Sequence, residues 1–202
     1  MKCEFIGQSV EFIGGYGGAE TIESAARTCT QTETKGDVGF VQRLIKRGHM
    51  SPTEFGYADL ELEVDRGIQQ ELTRHRQFSY NVESTRWIDY TKKPLRFVTK
   101  PSEDMDVPDV AVQMLERLCQ HCADEYEAMR ALGVPRDYAR KCLPLATASK
   151  MRMGGNLRAW TEMLPKRLGR TAHAEVREVS RDILGILKAR FKGVFDHIEE
   201  ER

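Results

Sequence analysis

Residues 58–64 read Ala-Asp-Leu-Glu-Leu-Glu-Val, with apolar and acidic side chains in strict alternation. A period of two sends successive side chains to opposite faces of an extended chain. Ala58, Leu60, Leu62 and Val64 therefore line one face, and Asp59, Glu61 and Glu63 the other. The first face needs a core and the second needs water or cations. The strand's own N–H and C=O groups need hydrogen-bonded neighbours, so an all-helical fold is ruled out. Residues 2–13 and 145–153 supply further apolar, strand-like stretches. Asp65 is placed to cap a helix running through Ile68 and Leu72.

Helical patterns outnumber these strands. Residues 20–29 and 38–47 read as helices, the second with Val41, Leu44 and Ile45 on one side. Residues 101–108 form an acidic, proline-bounded connection. A long helix over 109–132 stops at Gly133, a residue suited to the left-handed turn that ends helices, and Pro135 sits where a new first turn begins. Gly154-Gly155 is expected to break the strand ahead of a helix over 156–163. Val176, Val179, Ile183, Ile186, Leu187, Phe191 and Val194 define the last helix. The fold class is α+β, and 202 residues suffice for a single domain spanning 1–202.

Charge excludes one class of function. Lysine and arginine total 31 and aspartate and glutamate 31, so no global field draws the chain onto nucleic acid, and a nucleic-acid-binding module is disfavoured. No apolar run approaches the ~18 residues a membrane-spanning helix needs, and no signal-peptide pattern opens the chain; a cytoplasmic protein with reduced thiols is expected. Cys119-Gln120-His121-Cys122 is half of a zinc site, but no second pair follows. Both cysteines fall on the stripe Leu115, Leu118, Cys119, Cys122, Tyr126, Met129, so they are read as core residues and no metal is expected. The Gly14–Gly18 run lacks the dinucleotide-binding spacing and is read as a loop able to close over a ligand.

Residues 74–86 read Arg-His-Arg-Gln-Phe-Ser-Tyr-Asn-Val-Glu-Ser-Thr-Arg. Arginine offers a planar fork of donors matched to phosphate and carboxylate. Three arginines interleaved with hydroxyls and an amide form an anion cradle. Ser84 is read as a phosphate ligand and not a nucleophile, because no base is identifiable beside it. Trp87 and Trp160 are read as packing residues.

The spacing Arg-His-Arg, seven residues, then Ser resembles the signature of the flavin-dependent thymidylate synthases. Further blocks are similar in the same order: Gly48-His49-Met50-Ser51-Pro52-Thr53-Glu54, Gly133–Arg140 followed by Leu143-Pro144, Asn156-Leu157-Arg158, and Arg167 through Glu175 and Arg177. The resemblance implies a twisted antiparallel sheet with long packed helices, assembled as a homotetramer with sites shared between subunits. It implies reductive methylation of dUMP at C5 to dTMP, with FAD as flavin, NADPH as reductant and methylenetetrahydrofolate as carbon donor. The alternative is a related C5 methylase or hydroxymethylase acting on UMP or dUMP in modified-nucleotide synthesis.

Carried onto this chain, the resemblance implies flavin contacts from Ser51, Arg74, His75, Arg76 and Asn156-Leu157-Arg158, with His49 near the flavin and folate. It implies dUMP contacts from Glu71, Arg74, the segment Val82, Glu83, Ser84, Thr85 and Arg86, and from Arg140. Arg167 would activate the pyrimidine. Phe55 stands where many relatives carry another histidine, and Lys150 where arginine is common. Met153-Gly154-Gly155 replaces a bulkier segment and is expected to widen the flavin pocket.

Overall fold

A computed structural model describes residues 1–199. β2 (Ser9–Tyr16), β3 (Tyr57–Asp65), β6 (Ala148–Asn156) and β4 (Ser79–Val82) form an antiparallel four-stranded sheet in the order β2-β3-β6-β4. β1 (Cys3–Ile6) and β5 (Leu95–Val98) form a separate pair with Cys3 opposite Leu95, and this pair is parallel. It stands apart from the expected antiparallel sheet, and the long stretch of chain between its two strands supplies the crossover connection that parallel pairing requires.

The helices are α1 (Ala19–Arg27), α2 (Val38–Lys46), α3 (Arg66–Leu72), α4 (Asp109–Ala131), α5 (Arg136–Ala139), α6 (Leu157–Leu168) and α7 (Ala174–Arg190). Among the described residues no helix is long and apolar enough to cross a membrane.

The chain divides into two compact units, each assembled from discontinuous segments. The first comprises residues 1–9, 62–74 and 81–151; the second comprises 10–61, 75–80 and the stretch from 152 on. In the first unit Tyr90, Leu95, Phe97, Cys119, Ala123, Tyr126 and Ala139 build the core, with Leu115, Met129 and Cys122 packed against it. Leu118 does not join them. It is exposed, together with Met114 and Val110 one and two turns earlier, because the face of α4 that meets the core is set by Cys119, Ala123 and Tyr126.

β3 alternates as its sequence demands, and Ala58, Leu60, Leu62 and Val64 are fully buried. The Asp65 carboxylate then accepts from the Ile68 N–H at 2.8 Å and starts α3. Gly133 ends α4 region with φ +80°.

In the second unit the glycine pair does not break the strand. β6 runs through Gly154 and Gly155 to Asn156, because aromatic rings occupy the space that side chains would need. A Cβ on Gly154 would collide with the Tyr57 hydroxyl, and one on Gly155 would stand 2.5 Å from Phe78 Cδ1. The pair accommodates these two rings. The final helix also stops earlier than its apolar spacing suggests: Phe191 and Val194 lie beyond α7, still buried. Gly193, at φ +84° and against Val38, makes that turn.

Candidate active site

The second unit positions Arg167. Asn156 caps α6, its Oδ1 accepting from the Ala159 N–H at 2.8 Å. The Leu157 N–H donates to the Gly56 carbonyl at 2.9 Å, and Trp160 Nε1 donates to the Ala58 carbonyl at 3.3 Å. Phe78, from the Arg-His-Arg segment, meets the Trp160 ring edge-on at 4.5 Å. Leu157, Trp160, Leu164 and Leu168 are all buried. This apolar stripe carries the helix past Pro165, five residues beyond the expected end at Met163, so Arg167 lies in its last turn.

From there Arg167 Nε donates to His75 Nε2 at 2.8 Å. Burial, reinforced by the charges of Arg167 and Lys166, pushes the His75 imidazole down to about 4. The ring is therefore neutral at physiological pH. Its Nε2 lone pair faces Arg167, which places the ring proton on Nδ1. Tyr80 donates its hydroxyl to the His75 carbonyl at 2.9 Å, and burial pushes that phenol up to about 12, with Arg167 opposing. The sequence reading separated His75 and Arg167 between two ligands; the fold joins them. It also adds Tyr80, which had no motif to mark it.

His49 and Ser51 line a groove of about 1050 Å³ with Ser24, Leu44, Pro52 and Phe55. The Gly48 N–H bonds the Ile45 carbonyl and the His49 N–H the Leu44 carbonyl, at 2.8 and 3.1 Å, closing α2 with Gly48 at φ +80°. The backbone of His49 thus terminates a helix while its imidazole stays exposed at the groove. Ser51 opens a short 3₁₀ turn ending at Phe55, which is 62 % exposed. Ser24 comes from α1, whose contribution no motif announced.

Within α1, Glu23 is fully buried. Burial alone would raise its carboxyl, but the Arg27 ion pair at 2.6 Å and the Asp37 N–H at 2.8 Å hold it below the usual range. Arg158 bridges Glu54 and Glu162 at 2.6 and 2.7 Å. Arg76 is exposed.

Apart from Arg167, the first unit carries the residues assigned to dUMP. Val82 ends β4, and the Glu83 N–H donates to the Lys150 carbonyl at 2.8 Å. Glu83 Oε1 accepts the Tyr90 hydroxyl at 2.9 Å; burial and the adjoining Glu83 charge raise that phenol. Lys150 lines a cavity of about 360 Å³ with Glu83, Tyr90 and Arg96.

The Ser84 carbonyl accepts from the N–H groups of Trp87 and Ile88 at 3.0 and 3.1 Å, a tight turn. Thr85 is buried and accepts from Arg140 Nη1 at 3.2 Å, which ties the loop to the 3₁₀ turn Arg140–Cys142. Glu71 is half-buried in α3, and Arg74 and Arg86 are exposed. The Arg86 guanidinium lies 5.9 Å from the centre of the Trp87 ring. Trp87 is 72 % exposed and is not a packing residue, whereas Trp160 is fully buried.

A donor-rich loop with hydroxyls and two arginines suits a phosphate. A neutral imidazole fixing a guanidinium suits a polar ring that must gain negative charge. The groove offers an apolar floor from Leu44, Pro52 and Phe55 and polar edges from Ser51 and His49, the chemistry that suits a flat heteroaromatic cofactor.

The family described as thymidylate synthase complementing protein matches residues 15–191. The probable flavin-dependent thymidylate synthase of Mycobacterium phage L5 is 29% identical over 196 residues, covering 88% of this chain and 79% of its own. The flavin-dependent thymidylate synthase of Mycobacterium tuberculosis (strain H37Rv) is 29% identical over 203 residues, covering 91% and 80%. Among solved structures, the UMP/dUMP methylase PolB from Streptomyces cacaoi bound with 5-Br dUMP shares the fold with TM-score 0.84 at 21% identity, over 96% of this chain and 95% of that one. The same protein bound with 5-Br UMP gives 0.85 at 20% identity, over 97% and 96%.

Proposed function

Because this chain belongs to the thymidylate synthase complementing protein family, we propose that it is a flavin-dependent thymidylate synthase that methylates dUMP at C5. The observation that carries the reading is the Arg167–His75 hydrogen bond at 2.8 Å, which ties a cation to the Arg-His-Arg motif within the matched span. C5 of uracil is a poor nucleophile until the ring carries negative charge. A guanidinium at the O2/N3 edge stabilises that charge as an oxyanion hole does. His75, held neutral, accepts from Arg167 without competing for its charge and fixes the plane of the fork. Tyr80 in turn holds the His75 backbone.

The phosphate falls to Ser84, Thr85, Arg86 and Arg140, with Glu71, Val82, Glu83 and Arg74 completing the nucleotide contacts. The Ser84 hydroxyl makes no hydrogen bond to another described residue, which suits an anion ligand better than an activated nucleophile. Ser51, His49, Arg74, His75, Arg76 and Asn156-Leu157-Arg158 would hold the flavin, FAD. Reduced flavin supplies the hydride that the transferred carbon needs to become a methyl group. NADPH as reductant and methylenetetrahydrofolate as donor complete the proposal, as does a homotetramer in the cytoplasm. The exposed stripe Val110, Met114 and Leu118 supports burial of that face against another subunit.

The test is tritium release from C5-labelled dUMP with purified protein, FAD, NADPH and methylenetetrahydrofolate, beside an identical tube with UMP. Folate-dependent release from dUMP with dTMP formed is expected. Release from UMP would move the reading to a modified-nucleotide methylase, and release from neither would end it.

A further inference from the structure

The loop after Ser84 carries a surface that this chemistry leaves unused. The exposed indole of Trp87 stands where two cavities of about 390 and 440 Å³ adjoin, each lined by Trp87, Arg130 and Arg136. Arg86 borders the first, and Lys92 and Lys93 the second. Arg136 Nη1 donates to the Trp87 carbonyl at 2.6 Å, fixing the backbone beneath the ring.

Carboxylates balance this charge only in part: Asp89 faces Arg130 and Arg136. Asp89 Oδ1 is taken by the N–H and hydroxyl of Thr91 at 3.2 and 2.7 Å, and its other oxygen lies 3.7 Å from Arg130. Among the described residues Arg86, Lys92, Lys93 and Arg136 form no ion pair, and the buried Arg130 Nε has no hydrogen-bond partner. Asp137 is the acid at the first cavity and Asp89 the acid at the second. A large exposed ring is a poor surface residue unless something covers it, and indole is covered best by a flat ring. Cations spread on both sides of it call for more than one anionic group.

We propose that this surface is a second binding site, for a ligand that joins a flat aromatic ring to two or more anionic groups. The ring lies on Trp87 and the anions on Arg136, Lys92 and Lys93. Two kinds of molecule share that chemistry, a nucleoside polyphosphate and an aryl oligoglutamate. The site shares Arg86 with the proposed substrate loop, and Trp87 and Ile88 hydrogen-bond back to the Ser84 carbonyl of that loop.

The full chain contains a built-in reporter, since Trp160 is fully buried and Trp87 exposed. Indole fluorescence is titrated with uridine triphosphate in one arm and 4-aminobenzoyl-triglutamate in the other, with uridine and inorganic phosphate as controls. Saturable quenching by at least one arm and by neither control is expected, and the arm that saturates at lower concentration identifies the ligand. The Lys92→Gln/Lys93→Gln variant, altered at two exposed side chains, should bind at least about tenfold more weakly. Its circular dichroism should be unchanged. Absence of saturable quenching in both arms, or equal affinity in the variant, would overturn the proposal. Turnover of dUMP plays no part in this readout, so its failure and that of the methylation reading are separable.

Discussion

Replacing His75 by Ala removes the acceptor that fixes Arg167. The bond is 2.8 Å long and involves a charged donor. Such bonds contribute about 1.5–3 kcal/mol net. If that energy serves to hold the guanidinium against the pyrimidine, its loss lowers kcat by about 10- to 150-fold. A merely structural role for His75 would instead lower the melting temperature and the fraction of active protein, leaving kcat per folded site intact.

His75→Gln separates the two cases, because a glutamine oxygen can accept from Arg167; it should recover most of the lost kcat. The pH profile adds a second discriminator. With the imidazole pushed down to about 4, protonation of His75 contributes no acidic limb between pH 5.5 and 8. The assay is steady-state dTMP formation, with flavin content measured on each variant. An acidic limb near the ordinary histidine value of about 6.5 that disappears in His75→Gln would refute the neutral-acceptor argument. So would a His75→Ala enzyme that loses flavin but keeps its kcat.

Four other outcomes are expected. The unfolded chain protonates His75 near pH 6.5 and the folded chain only near about 4, so stability is full above 6.5 and falls as pH drops toward 4. That depression corresponds to about 3.4 kcal/mol, which solvent screening of the partly exposed ring reduces to about 1–2; urea titrations at pH 7 and 4.5 measure the difference. Gly155→Ala should cost about 1–3 kcal/mol by driving a methyl into Phe78, a loss of about 3–10 °C in a thermal melt. Gly14→Ala, which meets nothing within 4 Å, is the control. Asn156→Ala should cost about 1 kcal/mol through loss of the α6 cap, and Asn156→Asp almost nothing. Arg158→Gln should leave the melting temperature almost unchanged, its ion pairs being exposed, while lowering flavin retention; unchanged flavin content would remove Arg158 from the cofactor contacts.

Much of the fold was legible wherever local chemistry decides the outcome. The alternation in β3, the Asp65 cap and the Gly133 stop are each set by a few adjacent residues, and each appears in the structure. The errors occur where distant partners override a local rule. Gly154-Gly155 looks like a break, yet Tyr57 and Phe78 turn it into a continuous strand. The helix after Asn156 looks complete at Met163, yet its buried stripe carries it past Pro165 to Leu168. Leu118 and Trp87 fit apolar patterns but face solvent, since hydrophobicity alone does not say which face finds a partner. The motif residues were legible as a set. Their pairing was not, because Arg167 and His75 lie 92 positions apart and nothing in either segment points to the other.

The interleaving of the two units bears on how this chain reaches its native state. Residues 10–61 find their packing partners in the stretch from 152 on: Gly56 meets Leu157, Ala58 meets Trp160, and Gly15 meets Phe191. During synthesis β2, α1, α2 and β3 emerge early and then wait for about a hundred further residues, several seconds at ~5–20 residues per second, before their core can close. Contacts so far apart in sequence make for slow folding and a long-lived exposed apolar surface. A nascent or truncated chain ending near residue 150 is thus the form of this protein most dependent on chaperones, and the C-terminal quarter is the trigger that releases it.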